Sequence, residues 1–344
     1  MMIQEESRQP LIGMTLDELK NVASDCGMPS FAARQMADWL YVKRCTEIDQ
    51  MTNLSKKARE VLSRSYVTGR ERPKKEMRSS DGTVKYLFTG AGGCDVEAVM
   101  IPDKERATLC VSSQAGCKMN CSFCMTGRQG FHGNLTPAQI INQILSVPES
   151  AELTNIVFMG MGEPLDNVSA VMKVIEILTS PWGMAWSPKR ITVSTIGRIP
   201  AMREILDNTK VHIAISVHSP FSAERRRLMP VESAYPLTEV LALLSEYDFS
   251  HQRRLSMEYI MWRGVNDDQR HAQALGRLMR GLECRVNLIR YHAIPDVDLK
   301  PSSEPVMIDF RDQLNAMGIT ATIRASRGED IMAACGMLAG QKNA

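Results

Sequence analysis

Cys117, Cys121 and Cys124 stand in the run Cys117-Lys-Met-Asn-Cys121-Ser-Phe-Cys124. Three thiolates at this CxxxCxxC spacing can hold three irons of a 4Fe–4S cube on one tight loop. The fourth iron is then left without a protein ligand. Such an open iron can chelate a small molecule and pass it an electron. A structural zinc ion instead wants four ligands, usually as paired CxxC or Cys/His motifs. No fourth cysteine follows at that spacing, and His132 is the only nearby imidazole. Unrelated core thiols would not cluster in a polar loop. The chain has nine cysteines, an odd count that argues against a disulfide framework at this size.

The elements that must position this loop are legible from residue 107 onward. Strand candidates fall at 107–112, 155–159, 190–194, 211–217, 254–261 and 284–290, with helical patterns at 136–148, 167–179, 198–207, 237–246 and 267–281. Thr136-Pro137 supplies an N-cap and first-turn pair. Six β/α units imply a parallel sheet with right-handed crossovers. Six is short of eight, so an open, partial (β/α)6 barrel is expected. A further strand is expected at 319–326 and a short helix near 329–338. The cysteine loop follows the first strand directly, and such folds carry their chemistry at strand C-terminal ends.

Ahead of the barrel, residues 1–70 read as a small helical domain. Thr15-Leu-Asp-Glu18 is a capping box, and helices are expected at 30–43 and 55–65. Residues 71–103 read as a β-hairpin extension or linker around Gly90-Ala-Gly-Gly93, and 104–344 as the catalytic barrel. Lys56 to Arg78 holds nine basic residues against three glutamates, either a solvated face or a phosphate-contacting patch. The chain has 344 residues, 44% hydrophobic and 23% charged, which excludes a mostly disordered chain. The net charge of +2 leaves any nucleic-acid surface to a local patch. No apolar run reaches the ~18–20 residues of a membrane span, and the charged N-terminus lacks a signal-peptide stretch. A cytoplasmic protein is expected.

The cysteine loop, with Phe123 just before the third cysteine, resembles the radical S-adenosylmethionine (SAM) superfamily. The run Met159-Gly160-Met161-Gly162-Glu163-Pro164 after the second strand resembles that superfamily's GGEP element, which binds the SAM amino group. The resemblance therefore implies a 4Fe–4S cluster on Cys117, Cys121 and Cys124. It also implies SAM contacts from Gly162, Glu163 and Pro164, and from strand-end residues Ser194, Ser216, Val217, His218 and His292.

Arg106-Ala-Thr-Leu-Cys110-Val-Ser-Ser-Gln, the cluster loop, and Arg327-Gly-Glu-Asp-Ile-Met-Ala-Ala-Cys335-Gly together look like the RlmN family over nearly the whole chain. These bacterial enzymes methylate carbon 2 of adenine in 23S ribosomal RNA and in certain transfer RNAs. That carbon is no nucleophile, so SAM is used twice per turnover. The resemblance implies that Cys335 takes a methyl by displacement. A 5′-deoxyadenosyl radical from a second SAM removes hydrogen from that methyl, and the carbon radical adds to the ring. Loss of the ring proton and attack by Cys110 on the Cys335 sulfur release methylated RNA and leave a disulfide that an external reductant resets. Glu97 matches the family position for the ring-proton base, with Cys110 thiolate as the competing base. Implied partners are the two RNA classes and an electron donor of flavodoxin or ferredoxin type, with a monomeric enzyme.

The related Cfr enzymes methylate carbon 8 of the same ribosomal adenine with the same thiol pair. Ser216-Val-His-Ser219 and Asn287-Leu-Ile-Arg290-Tyr291 lean toward them, whereas Gly162-Glu-Pro-Leu165 keeps the proline, so carbon 2 is favoured. Radical chemistry on a small molecule or peptide would leave Cys335 unexplained. A non-enzymatic iron–sulfur RNA-binding protein would leave the open iron and the SAM-site pattern unexplained.

Overall fold

A computed structural model describes residues 8–251 and 253–340; the charged residues read at positions 1–7 lie outside it. The chain divides into two compact units. The first comprises the residues up to Pro73 together with 135–151 and 169–187; the second comprises 74–134, 152–168 and 188 onward.

In the first unit, Leu16–Asp25 is a helix because Thr15 caps it reciprocally. The Thr15 hydroxyl accepts from the Glu18 amide at 3.3 Å, and the Glu18 carboxylate accepts from the Thr15 amide at 2.9 Å. The helix expected at 30–43 begins at Ala32–Ala37 and widens into a π-turn over Asp38–Val42. Lys56–Ser65 is capped by Ser55, and a two-residue parallel pairing of Gln9–Pro10 with Tyr66–Val67 was not foreseen. The helix Pro137–Ser146 has the expected Thr136 cap.

The second unit is built on one ten-stranded sheet. Its strands are β1 (Lys75–Arg78), β2 (Val84–Phe88), β3 (Val96–Asp103), β4 (Arg106–Cys110) and β5 (Asn155–Phe158). They continue as β6 (Ile191–Thr195), β7 (His212–Ser216), β8 (Leu255–Met261), β9 (Arg285–Arg290) and β10 (Thr320–Ile323). β4 to β10 are parallel, neighbour to neighbour in chain order. The six expected β/α strands are present, and the later strand at 319–326 makes a seventh. β1, β2 and β3 pair antiparallel onto β4, so the expected hairpin extension is part of the same sheet, with β1 as an added edge strand. Among the described residues the edge strands β1 and β10 do not pair, which leaves the barrel open.

Period-two alternation sets what each strand presents. In β6, Ile191, Val193 and Thr195 are buried, whereas Thr192 and Ser194 face cavities. The short helix expected near 329–338 is only a turn at Glu329–Ile331. Gly328 and Met332 flank it in left-handed conformation, at φ of 64° and 55°, which ends helical propagation on both sides. A helix at Glu304–Ala316 was not foreseen. Among the described residues no helix is long and apolar enough to cross a membrane.

Candidate active site

The C-terminal ends of β4 to β10 surround a cavity of about 160 Å³. Cys117, Cys121 and Cys124 line it together, on the loop after β4. Burial pushes all three thiols up, Cys117 to about 12; each is also raised by a neighbouring cysteine. Three thiolates cannot share so small a buried space without a cation to neutralise them. The donor set and the open space beside it fit an iron–sulfur cube that leaves one iron free.

An apolar wall holds the loop. Phe123 packs 5.0 Å from both the His218 and Trp262 rings, among Ile196, Leu228, Ile260 and Tyr291. His218 is kept neutral. Burial, with Arg225 beside it, drives its imidazole down to about 3, and Nδ1 accepts from the Ile260 amide at 3.1 Å.

The Gly-Met-Gly-Glu loop lies against residues 111–114. A Cβ on Gly162 would fall 2.5–2.9 Å from Gln114, and one on Gly160 would fall 2.7 Å from Val111 and Ser112. Only glycine permits that approach. The Glu163 carboxylate accepts from the Thr195 hydroxyl (2.6 Å) and the Leu165 (3.0 Å) and Ile196 (3.1 Å) amides. Burial still lifts it to about 7. It thus ties the end of β5 to the end of β6.

Of the other expected SAM contacts, Ser194, Ser216 and His218 line the same cavity. Pro164 opens the turn Pro164–Asn167 and Val217 is fully buried, its amide donating to Glu258; neither lines it. His292 lines an adjoining cavity of about 320 Å³ and bonds Ser326 and, at 3.2 Å, Glu329.

Cys335 lines both cavities, as Arg324 just beyond β10 also does, and it is exposed. The C-terminal segment carrying it is stapled along its length. Asp330 accepts from Ser79 (2.6 Å) and Ser80 (3.1 Å), and Asp81 accepts from the Gly328 amide (2.9 Å). The Met125 amide donates to Gly336 at 2.9 Å and the Thr126 hydroxyl to Leu338 at 2.7 Å. These bonds bring Cys335 from the far end of the sequence to the cluster loop. Cys110, at the end of β4, is buried and pushed up to about 12, first by burial and then by Cys335; Arg324 opposes the rise. All nine cysteines are free thiols in this structure.

Glu97 lines neither cavity. It is ion-paired with Lys85 at 3.0 Å and accepts from the Ala339 amide at 3.0 Å, behind the C-terminal segment. Burial raises its carboxyl, against the pull of Lys85. Of the nine basic residues in the 56–78 stretch, three are engaged internally. Arg59 donates to Leu54 (2.6 Å), Arg70 donates to Ser146 (3.3 Å), Leu145 and Arg44, and Lys74 pairs with Asp95 (2.6 Å). The others, Lys56, Lys57, Arg64, Arg72, Lys75 and Arg78, are exposed.

Three site residues were not singled out from the sequence. Arg225 is fully buried, pairs with Glu232, and donates to the carbonyls of Ser216 (2.9 Å), Val217 (3.1 Å) and Ile196 (3.2 Å). It clamps the loops after β6 and β7. Its sequence context, Arg225-Arg-Arg227, looks like an exposed triplet. Arg324, just beyond β10, lines the cysteine cavity and the adjoining one, and Cys335, Glu258 and Cys110 all raise it. Glu258 is a buried carboxylate inside the apolar run of β8, a placement that marks function more often than packing.

Residues 111–274 match the radical SAM superfamily and residues 9–67 match the ribosomal RNA large subunit methyltransferase N-terminal domain. The chain is 58% identical over 336 residues to the probable dual-specificity RNA methyltransferase RlmN of Parabacteroides distasonis, covering 98% of each chain. It is 40% identical to the dual-specificity RNA methyltransferase RlmN of Syntrophus aciditrophicus over 95% of each chain. Its fold is similar to the crystal structure of a radical SAM methyltransferase from Sphaerobacter thermophilus, with a TM-score of 0.90, 38% identity, and coverage of 96% and 99%. Superfamily members use a 4Fe–4S cluster and SAM, and the donor set above is of that kind. With a near-full-length likeness in sequence and in fold, and the three-cysteine cavity at the barrel mouth, the chain belongs to the RlmN family of radical SAM enzymes.

Proposed function

We propose that this enzyme methylates carbon 2 of a specific adenosine in 23S ribosomal RNA and in transfer RNA, with Cys335 as methyl carrier and Cys110 as resolving thiol. The observation that carries this reading is the position of Cys335. It borders the three-cysteine cavity on one side and, on the other, a cavity lined by Arg106, Arg290, Arg324 and Arg327 that suits a polyanionic substrate. Bound SAM and cluster would supply the 5′-deoxyadenosyl radical that activates the Cys335 methyl.

The chain's own residues do the rest. Cys117, Cys121 and Cys124 hold the cluster. Gly162 and Glu163 shape the cofactor loop, with Ser194, Ser216 and His218 along the cavity wall. Arg324 favours the thiolate form of Cys110 by its charge. Burial keeps Cys110 a thiol until the adduct forms, which suits a group that must act last. Neither Cys110 nor Glu97 lines the two cavities; Cys110 lies near enough to Cys335 for their charges to interact, and Glu97 is held by Lys85 and the Ala339 amide. Ring-proton removal by Cys110 requires its thiolate, which Arg324 favours and burial opposes, whereas removal by Glu97 requires the Lys85 pair to open. The helical N-terminal unit, with Lys56, Lys57, Arg64 and Arg72 exposed, serves as the RNA-binding accessory domain.

The test is mass spectrometry of RNA digested from a deletion strain and from the strain complemented with this chain. Restoration of 2-methyladenosine in both RNA classes supports the proposal. 8-Methyladenosine would assign Cfr-like chemistry, and no methyladenosine would refute methyl transfer altogether.

A further inference from the structure

The barrel has a second lined end. The entry ends of the parallel strands surround a polar cavity of about 850 Å³, within the roughly 300–1,000 Å³ of small-molecule sites. Arg106 opens β4, Arg285 opens β9, Lys189 precedes β6, and Arg253 and Arg254 precede β8. With Arg324, six basic residues line this space against two carboxylates, Glu258 and Glu283, although the Arg253 guanidinium donates to the carbonyls of Leu206 and Thr209. Glu258 is already engaged, accepting from Asn287 at 2.8 Å with Arg324 3.9 Å away. Among the described residues no carboxylate lies within ion-pairing distance of Arg106, Arg254 or Arg285, although each of the barrel's paired surface arginines, such as Arg203 with Glu246, has one.

The like charges act on each other. Burial, then Arg254, Lys189, Arg285 and Arg253, drive the His212 imidazole on β7 down to about 4. Arg254 is itself lowered by burial and then by Arg285 and Arg106. His212 Nδ1 accepts from the Arg254 amide at 2.8 Å, so its remaining proton sits on Nε2. Arg254 and Arg285, with no carboxylate in ion-pairing distance among the described residues, converge on this half-buried imidazole and make a focused positive field. Asn155, Thr192 and Asn287 add neutral hydrogen-bonding groups at alternate strand positions.

We propose that this cavity is a binding site for the phosphate group of a nucleotide, either a free mononucleotide or the phosphorylated end of an RNA strand. It opens at the opposite strand ends from the cysteine cavity, with which it shares Met159, Glu258 and Arg324 in the barrel interior, and the proposal does not rest on the methyl-transfer reading. The basic side chains neutralise the phosphate, and the amide and hydroxyl groups meet the sugar. A phosphate among these side chains offsets their mutual repulsion.

The test uses the full chain with its cluster reconstituted, probed with inorganic phosphate, AMP and a short 5′-phosphorylated RNA oligonucleotide. The His212 imidazole is followed by NMR, assigned by its loss in His212→Gln. Saturating phosphate should raise the His212 pKa by at least about one unit, because a nearby anion favours imidazolium. The double substitution Arg254→Ala, Arg285→Ala should weaken phosphate binding at least tenfold, with an unaltered thermal melt showing that the variant is folded. The single exposed Arg106→Ala gives a milder loss if the double variant does not fold. Tighter binding of AMP than of the oligonucleotide assigns a free nucleotide, and the reverse assigns an RNA end. A His212 titration unmoved by all three probes, or unchanged binding by the arginine variants, overturns the proposal.

Discussion

The resolving thiol offers the sharpest test of the proposed chemistry. Cys110 is pushed up to about 12, first by burial and then by Cys335, against the opposing charge of Arg324. At pH 7.5 about 3 in 100,000 such thiols are ionised, whereas an ordinary thiol of pKa near 9 is about 3% ionised. The three-unit difference corresponds to about 4 kcal/mol withheld from the attacking thiolate, and Cys110 is buried enough that solvent offsets little of it. Raising the pH deprotonates it. Release of the covalent protein–RNA adduct should therefore accelerate tenfold per pH unit from about 6.5 to 9.5 with no plateau. An ordinary thiol would bend toward a plateau near pH 9. Arg324→Met removes the stabilising charge and should slow release further at every pH. The assay is single-turnover quenching onto a denaturing gel, with mass spectrometry of the Cys335 peptide. Cys110→Ala should hold the adduct indefinitely, and Cys335→Ala should never form it. Normal turnover by Cys110→Ala, an adduct in Cys335→Ala, or a pH-independent release rate would each refute the reasoning.

Alanine at Cys117, Cys121 or Cys124 should each abolish the brown absorbance of the reconstituted cluster; a full cluster in any one variant would show a misassigned ligand. Gly162→Ala should destabilise the second unit by ~3 kcal/mol, since its Cβ would meet Gln114 at 2.5 Å and its φ of 95° disfavours a side chain. Thermal melting within one degree of wild type would contradict this. Arg70→Ala should cost ~2 kcal/mol of stability by freeing three internal acceptors, with the salt dependence of RNA binding unchanged. Lys57→Glu and Arg64→Glu should do the reverse, lowering the salt slope by about one per phosphate contact with an unaltered melt. Equal slopes across all three variants would remove the exposed patch from the RNA interface.

Local patterns carried much of this structure. The three-cysteine loop needs only its own spacing, so its residues could be named before any fold was known. The strands of the parallel series follow from runs of apolar and β-branched residues such as Ile191–Thr195, and the helices from caps such as Thr15 and Thr136, all short-range effects. The Gly-Met-Gly-Glu loop was legible as a close backbone approach, although its partner, Gln114, was not. Tertiary structure alone decided what depends on distant segments meeting. Cys335 reaches the cluster loop because Asp81, Asp330, Met125 and Thr126 bind its segment, bonds that join residues more than two hundred positions apart. The engagement of Arg59, Arg70 and Lys74, the burial of Arg225, and the withdrawal of Glu97 behind the Lys85 pair are of the same kind. A charged side chain reads alike in sequence whether it faces water or a buried carbonyl, and only the packed chain decides between them. The basic ring at the strand entries is the clearest case, since its members are scattered from Arg106 to Arg285 and become one field only when the parallel sheet aligns their strands.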